Sequence, residues 1–272
     1  MTLDHSEQPF AESLANNQKI VFGVQNSNTK RLPRVLGRLF NYWCLFAAGF
    51  LVVVFAPPLM LLARLTGDNR LTQRGAMWGA AVWLKLCGVK TVLRGAENIK
   101  PDEAYVFISN HRSYLETAVV EAHLGRHVGI ISKKELLKLP VAGRLMGYID
   151  MLAIDRSNPT RAVETMREAV RRIHEGLSVV VFAEGTRAFP GELLPFKKGA
   201  FHLAIESGAP IIPIAVKNSD ALMGKKTGVA QPGTIEVVLL PPVSTNGLSV
   251  ENDLENLRDQ VRTIIATELS KQ

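Results

Sequence analysis

The chain has 272 residues, enough for one large domain or two small ones, and 47% are apolar, enough for a sizeable core. Its 32 Lys and Arg exceed its 25 Asp and Glu, giving a formal net charge of +7, so a polyanion or an anionic membrane surface is the natural counterpart. No aromatic-basic platform or recognised module supports nucleic acid as that partner, and the two cysteines, Cys44 and Cys87, make neither a metal pattern nor a disulfide framework.

In chain order, residues 1–29 read as a polar, loose tail, too polar for a secretory signal peptide. Residues 30–74 read as a membrane-associated helical segment. A basic cluster (Lys30, Arg31, Arg34, Arg38) precedes a run, 39–63, that holds no charged residue. That run is long enough to span a bilayer, but Pro57-Pro58 is expected to kink or break a helix near its end. Positive charge on both flanks (Arg64, Arg70 and Arg74 follow) favours a segment that enters and returns on the cytoplasmic side. A helical pattern occupies 71–88.

From residue 91 strands alternate with helices. Strands are expected at 91–95, 104–109, 127–132, 177–183, 210–216 and 234–240. Helices are expected from Asn158-Pro159 to about Glu175, over 201–207 up to Gly208, and over 250–269. The implied class is α/β: a central, mostly buried sheet flanked by helices, formed by residues 75–272 and preceded by the membrane-associated segment.

Two motifs stand out. The first is Asn110-His111-Arg112-Ser113-Tyr114-Leu115-Glu116, just after a predicted strand. A carboxylate bonded to one imidazole nitrogen fixes the tautomer and leaves the other nitrogen to remove a proton. Residues five apart are not the best-aligned pair on a helix, but they meet if His111 precedes the first turn and its ring folds back. The second is Phe182-Ala183-Glu184-Gly185-Thr186-Arg187, also at a strand end. Gly185 permits a tight turn, and Arg187 offers a planar fork for a phosphate. A base and an anion clamp together point to acyl transfer onto a hydroxyl of a phosphorylated acceptor. Lys133-Lys134 and Lys197-Lys198 add positive charge.

This constellation resembles the 1-acylglycerol-3-phosphate acyltransferases, a family of glycerolipid acyltransferases. Four blocks match in order across about residues 75–245. These are the His111–Glu116 block, then Lys133-Lys134-Glu135-Leu136 with Pro140, Gly143, Gly147 and Ile154-Asp155-Arg156, then 182–187, then Ala209-Pro210-Ile211-Ile212-Pro213-Ile214-Ala215. Two departures are visible. Glu116 stands where the family has Asp, and Ala183 stands where it usually has Pro.

The resemblance implies acylation of the sn-2 hydroxyl of lysophosphatidic acid, giving phosphatidic acid, with acyl-CoA or acyl carrier protein as co-substrate. No cofactor or metal is implied. His111 would be the general base and Glu116 its partner. Lys133, Glu184, Gly185, Thr186 and Arg187 would bind or shape the site for the acceptor. Ser113 is a poor nucleophile candidate, since no Gly-x-Ser-x-Gly elbow surrounds it. The expected location is the cytoplasmic face of the inner membrane. Two alternatives stay open at this stage: another lysolipid acceptor, such as a lyso-ornithine lipid, or a non-catalytic lipid-binding protein, motivated by Glu116.

Overall fold

Runs such as Ser178-Val179-Val180-Val181-Phe182 are apolar on both faces, so they are stable only as interior strands covered on both sides. The computed structural model describes residues 12–14, 16–22 and 32–271, and it builds such runs into an α/β sandwich. In chain order the elements begin with β1 (Ile20–Val21), α1 (Arg34–Thr66), α2 (Arg70–Leu86), β2 (Val89–Arg94) and β3 (Val106–Ser109). Next come α3 (Leu115–His123), β4 (Val128–Lys133), α4 (Ala142–Met146), β5 (Leu152–Ile154), α5 (Pro159–His174) and β6 (Ser178–Phe182). The chain ends with β7 (Glu192–Leu193), α6 (Gly199–Ser207), β8 (Ile211–Lys217), α7 (Ser219–Met223), β9 (Gly233–Leu239) and α8 (Val250–Ser270).

Seven strands form the main sheet in the order β2-β9-β8-β3-β6-β4-β5. All neighbours run parallel except β8 and β9. Alternation along each strand feeds two cores. Val106, Ile108, Val179 and Val181 face the side covered by α5, α6 and α8, whereas Phe107, Val180 and Phe182 face the side covered by α2 and α3. β3 is central. From it the chain crosses to β4 and β5, returns to β6, and then passes to β8 on the other side. A reversal of this kind opens a crevice at the carboxyl ends of the strands.

At that edge β3 ends three residues before its neighbour β8. Ser109 is the last residue paired with β8, opposite Ile214. The Asn110 side chain then takes over the ladder: its Nδ2 donates to Val216 O at 3.0 Å, and Val216 N–H donates to its Oδ1 at 2.8 Å.

Three sequence expectations are corrected. The helix is not broken at Pro57-Pro58; α1 runs continuously for 33 residues, about 50 Å at 1.5 Å per residue. The prolines remove two N–H bonds, but α2 docks just beyond them. Thr72 Oγ1 donates to Leu59 O at 3.1 Å, and Gly75 lies so close that a Cβ there would come within 2.4 Å of Leu59 Cδ1. Second, β5 escaped the sequence reading because three residues carry too little periodicity. Third, the tail is not loose throughout. β1 pairs antiparallel with β7, and Ile20 is buried. The rest of the polar tail, with Lys30 and Arg31, lies largely outside the described residues. The boundary expected at 74/75 falls within α2.

Most of α1 is apolar and unburied: the helix has a window of mean hydropathy 2.4 of which 17% is buried. Such a surface suggests membrane association.

Replacing Asn110 with Ala strands the N–H and C=O of Val216 in a buried edge. At about 1–3 kcal/mol for each unsatisfied group, Asn110→Ala should lose about 2–4 kcal/mol, read as a fall of several degrees in Tm in detergent. An unchanged Tm would remove the side chain from the ladder.

Candidate active site

Parallel β3 and β6 pair in register, with Ser109 opposite Phe182. The residues that follow each strand therefore emerge side by side: Asn110-His111 from one, Ala183-Glu184 from the other. Glu184 joins them. Its Oε1 accepts the His111 backbone N–H at 2.6 Å, and its Oε2 accepts that of Leu194 at 2.8 Å. Ala188 N–H returns a bond to His111 O at 2.7 Å. The backbone of His111 is thus held from both sides by the 184–188 turn.

The His111 ring folds back over the start of α3, and Nδ1 meets Glu116 Oε2 at 2.7 Å. Glu116 is fully buried, while the His111 side chain keeps 17% of its surface exposed. The carboxylate is well served. Arg112 N–H lies 3.0 and 2.8 Å from its two oxygens, and Ser219 Oγ donates a short bond to Oε1. The extra methylene of Glu relative to Asp is absorbed, because the pair closes at hydrogen-bond length. Phe182 stacks on the His111 ring at 4.2 Å between centroids and fixes its plane. Nδ1 is thereby committed to Glu116, which leaves Nε2 as the imidazole nitrogen for proton transfer.

Ser113 has no nucleophilic freedom. It is fully buried, its hydroxyl donates to Met223 O at 2.7 Å, and it accepts from Leu115 N–H at 3.2 Å. Arg112 is also turned inward. Its Nε donates to Glu192 O at 2.6 Å, and Nη1 lies 3.6 Å from Asp220 Oδ2.

The expected anion clamp divides in two. Glu184 points into the protein toward backbone N–H groups rather than outward. Gly185 (φ 71°) makes the tight turn that a residue with a Cβ would strain. Thr186 is exposed, and Arg187 lies with its guanidinium carbon 3.5 Å from the centroid of the Tyr114 ring, three residues beyond His111. Lys225 donates to Arg187 O. Lys133 stands exposed at the end of β4, two strands along the same sheet edge from β3. Its neighbour Lys134 is engaged with Asp155 at 2.7 Å.

Two residues were missed as site members. Arg156 donates through Nη1 to Gly185 O, which brings a second guanidinium to the clamp. The sequence signal was present in Ile154-Asp155-Arg156, but only the fold brings the end of β5 to the turn. Ser219 gave no signal, since it lies 103 residues from the carboxylate it serves.

Burial pushes the Glu184 carboxyl up to about 8, against the Leu194 and His111 N–H groups that favour the anion. A folded value above the ordinary 4.5 means that its stabilisation is complete below that pH and is lost as pH rises through about 8. Glu184→Gln is neutral at all pH and loses one accepting oxygen, so it should start less stable in acid. Its Tm, however, should stay flatter than wild type between pH 5 and about 8. Parallel curves would show that Glu184 does not titrate there.

Comparison with known proteins places this chain among relatives of one family. The family model described as Acyltransferase matches residues 90–217, which include both motifs. The mouse 1-acyl-sn-glycerol-3-phosphate acyltransferase alpha is 34% identical over 230 residues, 84% of this chain and 78% of that protein. The 1-acyl-sn-glycerol-3-phosphate acyltransferase of Limnanthes alba is 39% identical over 176 residues, and the match spans 64% of this chain and 60% of that protein. The crystal structure of the 1-acyl-sn-glycerophosphate (LPA) acyltransferase PlsC from Thermotoga maritima shares the fold, with a TM-score of 0.75 at 22% identity over 88% of this chain and 98% of that one. Extended similarity of this kind, carried over most of the mouse protein, shows that the chain belongs to the acyltransferase family.

Proposed function

We propose that this chain is a membrane-associated acyltransferase that moves a fatty acyl group from acyl-CoA or acyl carrier protein to the sn-2 hydroxyl of lysophosphatidic acid, yielding phosphatidic acid. The observation that carries this reading is the closed His111–Glu116 pair beside a turn bearing two guanidinium groups, Arg156 and Arg187. The names of the relatives support the same acceptor class.

In this mechanism Nε2 of His111 removes the acceptor hydroxyl proton as its oxygen attacks the thioester carbonyl. Glu116 stabilises the imidazolium that forms. The tetrahedral intermediate collapses, the C–S bond breaks, and the imidazolium returns the proton to the leaving thiolate. The buried, engaged Ser113 suits direct transfer without an acyl-enzyme. Arg187 and Arg156 hold the acceptor phosphate, with Lys133 as a further cation at the same edge. Gly185 and Thr186 form the turn, and Glu184 acts as a positioning residue through the His111 backbone.

The placement of the first two helices supports a reading of the membrane geometry. Gln73, in the first turn of α2, donates to Asp150 Oδ2 at 2.8 Å, and α1 also touches α4. The hairpin therefore lies along the domain with its far end attached, which suits insertion from one face better than a crossing. The cytoplasmic face of the inner membrane is the proposed location.

Glu116→Gln keeps shape and removes charge, so kcat for transfer to lysophosphatidic acid should drop by about 10²–10⁴-fold, by analogy with other His–carboxylate pairs. Glu116→Asp should also slow the reaction, because the pocket fits the longer side chain. A Gln variant within tenfold of wild type would eliminate the dyad.

Arg187→Ala removes a charge-assisted bond of about 1.5–3 kcal/mol, so acceptor KM should rise roughly 10- to 100-fold while donor KM holds. A rise in donor KM alone would assign Arg187 to the phosphate of the donor.

A further inference from the structure

The loop 190–196 is joined to the site through its backbone. Leu194 N–H is one of the two donors to Glu184, and Glu192 O receives Arg112 Nε. Gly191 N–H donates to Asp220 Oδ2 at 2.7 Å, and the same oxygen lies 3.6 Å from Arg112. Three backbone groups of this loop therefore hold side chains that fix the backbone around His111. Only a two-residue strand, β7, gives the loop regular structure, and two strand residues alone are far below the length that is stable in water.

Leu193 and Phe196 of the loop are buried in the core, and the segment 16–22 supplies its strand partner. β1 pairs with β7, placing Ile20 opposite Leu193 and Val21 opposite Glu192. Phe22 N–H extends the pairing to Gly191 O at 2.7 Å, and the Phe22 ring lies 5.5 Å from the Arg112 guanidinium. At the other end Asn17 makes a reciprocal pair with Phe196. Its Nδ2 donates to Phe196 O at 3.1 Å, and its Oδ1 accepts Phe196 N–H at 2.9 Å. Asn17 adopts φ 48°, a left-handed conformation that Asn tolerates better than most residues. The segment is anchored from behind by Arg262 of α8, fully buried, which donates to Ser13 O at 2.9 Å and to Gln18 O. This segment is thus threaded between the last helix and loop 190–196.

We propose that residues 16–22 act as a positioning strap for acyl transfer, with Asn17 as its positioning residue, holding loop 190–196 so that Leu194 and Glu192 keep Glu184 and Arg112, and through them His111, in place. This rests on the acyltransferase reading of the same site. The strap touches neither proposed substrate group. It acts on where the base sits, so its loss should lower the rate of the chemical step and leave acceptor binding alone. Displacing a reacting group by about 1 Å costs up to 10²-fold.

The test uses the full chain in mixed micelles with lysophosphatidic acid and acyl-CoA. Asn17→Gly keeps the left-handed backbone and removes both bonds to Phe196. Its kcat per folded molecule should fall about tenfold, with acceptor KM within about twofold of wild type, and Asn17→Asp, which keeps one accepting oxygen, should fall between. Asn17→Gly combined with Ile20→Ser, which removes the buried anchor of β1, should lower kcat further while the folded fraction, read by near-UV circular dichroism, is preserved. Wild-type kcat in the double variant overturns the strap. So does a loss that disappears once activity is divided by the folded fraction, or one confined to KM. A wild-type chain that transfers no acyl group in this assay overturns the activity itself, a separate outcome.

Discussion

Ser109 and Phe182 face each other in two parallel strands, and the chain leaves both strands at the same height. From that register the site follows. Two motifs some seventy residues apart come to share one crevice, and Glu184 closes the gap by accepting the His111 N–H. A slip of one residue would turn every side chain of β6 to the opposite face. Phe182 would leave the His111 ring, and Glu184 would leave its backbone. Because both faces of β3 and β6 are packed against helices, that slip would also mispack two cores at once. The energy of core burial and the placement of His111 are therefore the same constraint.

The proposed dyad shows how a buried carboxyl group can be kept hydrogen-bonded. Taken out of water, a carboxylate is costly unless its oxygens are fully hydrogen-bonded. Glu116 meets the Arg112 backbone N–H, the Ser219 hydroxyl and the His111 ring. The Arg112 N–H is a free donor because it opens the turn before α3, where backbone donors have no helical partner. A longer acid is accommodated here because α7 presents Ser219 from the far side. The departure from the family's acid that the sequence shows at position 116 closes in space as a hydrogen-bonded pair.

The sequence made the fold class legible because buried strands and amphipathic helices leave strong periodic signals; six of the seven main-sheet strands were visible that way. His111, Glu116 and Arg187 could be singled out from motif spacing, and the structure brings His111 and Glu116 into contact. Other features are written only in tertiary contact. Three residues of β5 have no period to detect, and Arg156 joins the clamp because β5 ends beside the turn after β6. Pro57-Pro58 spoke for a break, yet the contacts of Thr72 and Gly75 with Leu59 outweigh local propensity. The segment 16–22 lies in a tail whose composition is typical of loose ends, and its order comes from pairing with β7 and from Arg262, partners more than 170 residues away.

One more loop ties the chemistry to the lipid phase. Between α7 and β9, Gly224 bridges to Ser113 of the base motif, Lys225 reaches Arg187 O, and Ala230 N–H donates to Gly37 O at the start of α1 at 2.9 Å. Gly37 packs close there, since a Cβ would come within 3.3 Å of Val229. The turn proposed to hold phosphate and the root of the exposed apolar helix are therefore joined through a few residues of backbone. For a lysolipid acceptor this proximity matters energetically. Moving an acyl chain into water costs about 0.8 kcal/mol for each CH₂, so a soluble site would forfeit far more than a phosphate contact returns. With α1 in the apolar layer and the Arg187 turn at its root, the acceptor can present its phosphate and neighbouring hydroxyl to the protein while its acyl chain stays in the membrane.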